Sequence, residues 1–188
     1  MKKIHYNSPV ILTYFFLSLV VLIVSILTKG RSDSLLFSVY RSPISPAFFV
    51  RLFGHVLGHS GWEHFLGNML LLLVVGPPME EKYGSKTLLI GILLTAVISG
   101  LLQCLLFPYY SLLGASGVVF MLIMLSSLSG MKDGTIPVTL ILVVILYLGR
   151  EIYSALFVQD NVANFMHLVG GTCGTTFGMV AGNRSHSE

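Results

Sequence analysis

From Pro9 to Thr28 the chain runs 20 residues without a single charged side chain. An α-helix needs about 20 mostly apolar residues to cross the hydrocarbon core of a bilayer. Further apolar runs follow, each bracketed by charges or by turn residues. They predict six helices, at about 9–28, 63–75, 86–106, 116–129, 137–157 and 163–182, the second stopped by "GPP". Only 10% of the residues are charged, against roughly 25% in soluble domains, which excludes a water-soluble fold. The expected class is an all-α integral membrane bundle of six transmembrane helices, a single domain over 1–188.

The connections sharpen this reading. Lys2 and Lys3 before the first run imitate a secretory leader. The run is longer than a leader's apolar region, however, and "VSILTKG" offers no A-x-A cleavage site, so it reads as a retained first helix. The long loop 29–62 carries Pro43, Pro46 and the apolar stretches "SLLFSVY" and "AFFVRLF", which place it partly in the membrane interface. Lys2, Lys3, Lys82, Lys86, Lys132 and Arg184 fall on one side, and Lys29, Arg31, Arg41, Arg51 and Arg150 on the other. That excess, six against five, puts both termini in the cytoplasm. A net charge of +3, scattered along the chain, gives no footprint for nucleic acid. Cys104 and Cys173 lie in separate apolar runs without a CxxC partner, as packing residues do.

The 116–129 helix is too short for its task. From Ser116 to Gly130 it spans about 22 Å at 1.5 Å per residue, against a core of about 30 Å. With Lys132 at the cytoplasmic surface, Ser116 starts several Å below the outer one. Irregular backbone at that depth is tolerated only where it is buried in protein or lines a water-filled cavity. "LLGASGVVF" (112–120) therefore implies a cavity.

Polar groups inside membrane helices are costly and point to function. Three sets occur here: His55, His59, His64 and Asn68 in "HVLGHSGWEHFLGNM", Ser116, and His167 in "NFMHLVGGTCG". His64 and Asn68, four apart, share a helix face and can both donate toward one point. His167 shares its face with Gly171, Gly174 and Gly178, a stripe that lets another helix approach closely. If that neighbour carries Ser116, the imidazole reaches the hydroxyl. A serine beside a base is an activated nucleophile, and donors aimed at the developing oxyanion complete an acyl-transfer site. No acidic residue near His167 supplies a third member, so the expected site is a Ser–His dyad.

Each feature alone has an ordinary explanation. A serine or a glycine stripe in a membrane helix is mostly packing, and a lone histidine is as often structural as catalytic. His55 and His59 are spaced for a metal but lack an evident third ligand, and "HSGWEH" is not HExxH. "GPPMEEKYGSKT" has the wrong glycine spacing for a phosphate loop. A transporter would show mid-membrane acids or paired broken helices, and neither is seen. The co-occurrence is what carries weight.

These residues resemble the rhomboid family of intramembrane serine proteases. "HSGWEHFLGN" is similar to its second-helix pattern H-x4-H-x3-N (His59, His64, Asn68), and "GASG" to its G-x-S-G (Gly114 to Gly117). "HLVGGTCG" is similar to its sixth-helix H-x2-G-x3-G (His167, Gly170, Gly174), and "EEKYGS" to its E-x3-G (Glu80, Gly84). The resemblance implies Ser116 as nucleophile and His167 as general base, with His64, Asn68 and the Ser116 N–H as oxyanion donors. It implies structural support from Arg51, His59, Glu80, Gly84, Gly114, Gly117, Gly170 and Gly174. Phe120 matches an aromatic position that stacks on the histidine. Val50-Arg51 stands where the family's first loop often has Trp-Arg, so the loop keeps its polar half and loses an aromatic anchor. The resemblance is to the minimal bacterial form, in the plasma membrane, with the site open to the outer face. It implies transmembrane protein substrates in a lipid bilayer and no metal, nucleotide or other cofactor. The competing reading is a rhomboid-like pseudoprotease that binds membrane helices without cleavage, although inactive relatives usually lack one or both catalytic residues.

Overall fold

A computed structural model of the chain describes residues 6–129, 135, 138, 141, 142, 145, 146 and 167–177. Its named elements are helices α1 (Pro9–Leu27), α2 (Pro46–Gly54), α3 (Trp62–Tyr83), α4 (Ser85–Leu106) and α5 (Ser116–Leu128), with a π-helical turn at Asp33–Phe37. Residues 167–177 are helical and are labelled α6. Residues 138, 141, 142, 145 and 146 are also helical, and the rest of the expected 137–157 helix lies outside the described residues. The expected 163–182 helix is described only over 167–177.

The chain contradicts the expected stop at "GPP". α3 continues through Pro77 and Pro78 to Tyr83. Two prolines remove two backbone donors from the ladder, but the final turns are held by tertiary contacts. Gly76 packs so tightly on α1 that an added Cβ would lie 2.5 Å from Ile11 Cδ1. Gly84 alone joins α3 to α4, at φ +79°, a conformation that a side chain would strain.

α5 is the centre of the bundle. α3 and α4 both pack on it, and none of its residues is exposed. An apolar helix covered on every side is a core helix. The outer helices keep an apolar outward face: Leu66, Leu70 and Val74 of α3, four apart, are 58%, 67% and 65% exposed. Such a stripe is stable where hydrocarbon is the solvent. Among the described residues two helices, α1 and α4, are long and apolar enough to cross a membrane.

α2 and the π-helical turn pack on each other, and α2 rests on α4. Ser45 caps α2, accepting from the Phe48 N–H at 3.2 Å. The 29–62 loop is thus structured, and its exposed side presents Phe49, Val50 and Phe53.

Candidate active site

Ser116 is the first residue of α5. The leading N–H groups of a helix have no intrahelical acceptor and lie at its positive end, and the Ser116 N–H is one of them. The preceding loop is pinned from the 29–62 side. Val39 and Leu112 exchange two backbone hydrogen bonds of 2.9 Å, and the Gly114 N–H donates to the His55 carbonyl at 2.9 Å. Gly114 itself has φ +132°.

Two histidine-bearing elements converge on that loop. A Cβ built on Gly114 would lie 2.9 Å from His64 Nε2 and 2.8 Å from its Cε1, so the imidazole edge covers Gly114. Asn68 donates from Nδ2 to the His64 carbonyl at 3.0 Å, a bond that uses one of its two amide hydrogens. From the other side α6 lies against α5 backbone to backbone. A Cβ on Gly170 would fall 2.2 Å from the Gly117 carbonyl oxygen, and one on Gly174 would fall 2.3 Å from that of Met121. His167 is one turn before Gly170, and its ring lies 4.6 Å from that of Phe120, one turn after Ser116. His64 and His167 are close enough for the charge of one to act on the other. The contact glycines are 170 and 174, while Gly178 lies outside the described residues.

His59 is fully buried. Its Nδ1–H donates to the Leu57 carbonyl at 3.0 Å, and its ring meets those of His64 and Phe65 edge-on at 5.0 and 5.4 Å. Burial, helped by the neighbouring His64, holds its pKa down to about 4, so it is neutral at pH 7. His55 faces the other way, its Nε2 3.3 Å from Ser99 Oγ on α4. The described residues include no cluster of three or more His, Cys, Asp or Glu able to hold a metal ion.

The supporting residues divide by position. Arg51 is buried and reaches Ser42 Oγ at 2.7 Å and the Leu35 carbonyl at 3.4 Å, with its guanidinium 4.5 Å over the Tyr40 ring. It ties the loop to itself. Glu80 sits at the far end of α3, away from Ser116. Its two carboxylate oxygens accept from the Val10 and Ile11 N–H groups at 2.9 and 3.0 Å and from Ser85 Oγ at 2.7 Å. It caps α1 from 70 positions away, while Ser8, the local candidate, makes no side-chain cap. Lys82 beside it donates to the Ser129 carbonyl at the end of α5, at 2.7 Å.

Sequence reasoning passed over Ser60, Tyr14 and the Val39–Leu112 bridge. Tyr14 donates to the Val56 carbonyl at 2.5 Å. Ser60 lies 3.2 Å from His64 Nδ1 through its hydroxyl. Its place four residues before His64 was the signal available.

The Rhomboid domain family model matches residues 46–184. The chain belongs to the rhomboid family. It is 30% identical over 186 residues to Rhomboid protease GluP of Bacillus subtilis, covering 93% of this chain and 35% of that protein. It is 32% identical over 143 residues to Rhomboid-related protein 2 of mouse (68% of this chain, 46% of that protein). Rhomboid-related protein 1 of Caenorhabditis elegans is 33% identical over 141 residues (69% and 39%). The chain thus spans less than half the length of each of these relatives. The family is one of integral membrane proteins and includes serine proteases.

Proposed function

We propose that the protein is an intramembrane serine endopeptidase that cuts transmembrane segments of other membrane proteins with a Ser116–His167 dyad. The observation that carries this reading is the α5–α6 seam. Contact between Gly117 and Gly170 brings the His167 turn to the Ser116 end of α5, with Phe120 against the imidazole. His64, on the α3 side, turns its Nε2 edge to the same loop. The similarity to a relative named as a protease adds to this.

In this mechanism Ser116 Oγ attacks the scissile carbonyl carbon while His167 accepts its proton. The oxyanion forms among the Ser116 N–H, His64 Nε2–H and the second Asn68 amide hydrogen. Collapse breaks the C–N bond, His167 returns the proton to the leaving amine, and water hydrolyses the acyl-enzyme with His167 again as base. A peptide bond within a helix is shielded, so the substrate unwinds locally before attack. Small residues at the cut and helix breakers beyond it are expected. The site opens to the outer face, with both termini in the cytoplasm.

The test is fluorophosphonate labelling of the purified protein. Labelling in the wild type and none in Ser116→Ala or His167→Ala is the expected result. A folded wild type that stays unlabelled, while other rhomboids react in parallel, overturns the reading in favour of a helix-binding pseudoprotease.

A further inference from the structure

A neutral imidazole carries one N–H and one lone pair, and its neighbours decide which nitrogen has which. At His64 the decisive neighbour is Ser60. Its backbone N–H points at Nδ1 from 3.5 Å, and its hydroxyl lies 3.2 Å from the same nitrogen. A hydroxyl can serve as donor or acceptor, but a backbone N–H can only donate. The lone pair therefore belongs on Nδ1 and the proton on Nε2. The opposite tautomer would set two N–H groups head to head. The protonated nitrogen is the one whose edge covers Gly114, two residues before Ser116.

We propose that Ser60 is a positioning residue whose hydroxyl, donating to Nδ1 at 3.2 Å beside the longer bond from its backbone N–H, holds the His64 tautomer and so keeps Nε2 a hydrogen-bond donor toward the Ser116 end of α5. The consequence is one of sign. With the proton on Nε2, His64 stabilises a developing oxyanion, whereas a lone pair there would repel it. Ser60 stands just before α3, whose N-cap is Gly61. Gly61 has no side chain to compete for the hydroxyl. The functional half of this inference rests on the protease reading; the tautomer does not.

The experiment uses the full chain, ¹⁵N-labelled at histidine, as wild type, Ser60→Ala and Ser60→Thr. His64→Gln identifies the resonances. The expected wild-type spectrum shows His64 protonated at Nε2, and Ser60→Ala moves part of the population to Nδ1–H. Fluorophosphonate labelling of Ser60→Ala then slows roughly 3–10-fold, the range for losing one hydrogen bond, at an unchanged unfolding temperature. Ser60→Thr restores both. A wild-type His64 protonated at Nδ1 overturns the proposal, as does a Ser60→Ala protein with the wild-type tautomer and rate. If the wild type does not label, the protease reading fails and the nitrogen spectrum still decides the role of Ser60.

Discussion

Both ends of α3 bury polar side chains, but they treat them differently. At the C-terminal end the carboxylate of Glu80 receives three donors, two from the start of α1 and one from Ser85. Lys82 covers a carbonyl at the end of α5. At the N-terminal end hydrogen-bonding capacity is left over. His59 Nε2 is buried with no hydrogen-bond partner among the described residues, His64 Nε2 faces a glycine, and Asn68 has committed one of its amide hydrogens. A buried polar group without a partner costs about 1–3 kcal/mol. A fold that accepts the cost at one end of a helix and avoids it at the other is what the proposed protease site requires. The saturated end holds helices together, and the unsaturated end keeps hydrogen-bonding groups uncommitted: an acceptor at His59 Nε2, and donor capacity at His64 and Asn68.

This contrast can be broken by experiment. Its largest expected effect is at the open end: His64→Ala should lower the fluorophosphonate labelling rate by about 10²–10³ with little change in unfolding temperature. A large loss of stability with labelling intact would move His64 to the structural class and erase the difference between the two ends. Next comes the α5–α6 seam. Gly170→Ala places a methyl against the Gly117 carbonyl, and backbone cannot yield as a side-chain tip can. We expect a destabilisation of about 1–3 kcal/mol together with loss of labelling, read by thermal unfolding and by the probe. Stability at the wild-type level would mean that the helices are not in contact there.

At the saturated end, Glu80→Gln weakens charge-assisted bonds to the α1 N-terminus. It should cost about 1–2 kcal/mol in unfolding while labelling at low temperature stays near the wild-type rate. Slow labelling by a fully stable Glu80→Gln protein would show that this end also serves the chemistry. The smallest effect is predicted for Lys82→Ala, which removes an exposed lysine's bond to Ser129 and should stay within about 0.5 kcal/mol in the same unfolding assay.

The comparison also separates two kinds of legibility. The residues at the open end are conspicuous in the sequence, because imidazoles and an amide in an apolar run have no ordinary reason to be there. Glu80 was reached through the family resemblance, and its partners at Val10 and Ile11 were not legible at all. No local pattern announces a cap supplied from another helix. The end of α3 was misread for a related reason. "GPP" is a breaker by its own backbone chemistry, yet contacts with α1 carry the helix seven residues beyond Gly76, to Tyr83.

What the sequence determined by itself is what depends on composition and spacing. Those are the apolar runs, the short helix that begins at Ser116, and the types of group able to do acyl-transfer chemistry. Spacing within one helix is fixed by 3.6 residues per turn, so His64 with Asn68, and His167 with Gly174, could be placed on shared faces before any fold was known, while Gly170, which meets Gly117, lay outside the stripe that spacing marked. Only the tertiary structure decided which helices touch: that Gly170 meets Gly117, that the His64 edge lies over Gly114, and that Ser60 sits behind the same ring. Those are contacts between groups distant in the chain or outside the helical register. Close packing selects them, and periodicity has no access to them.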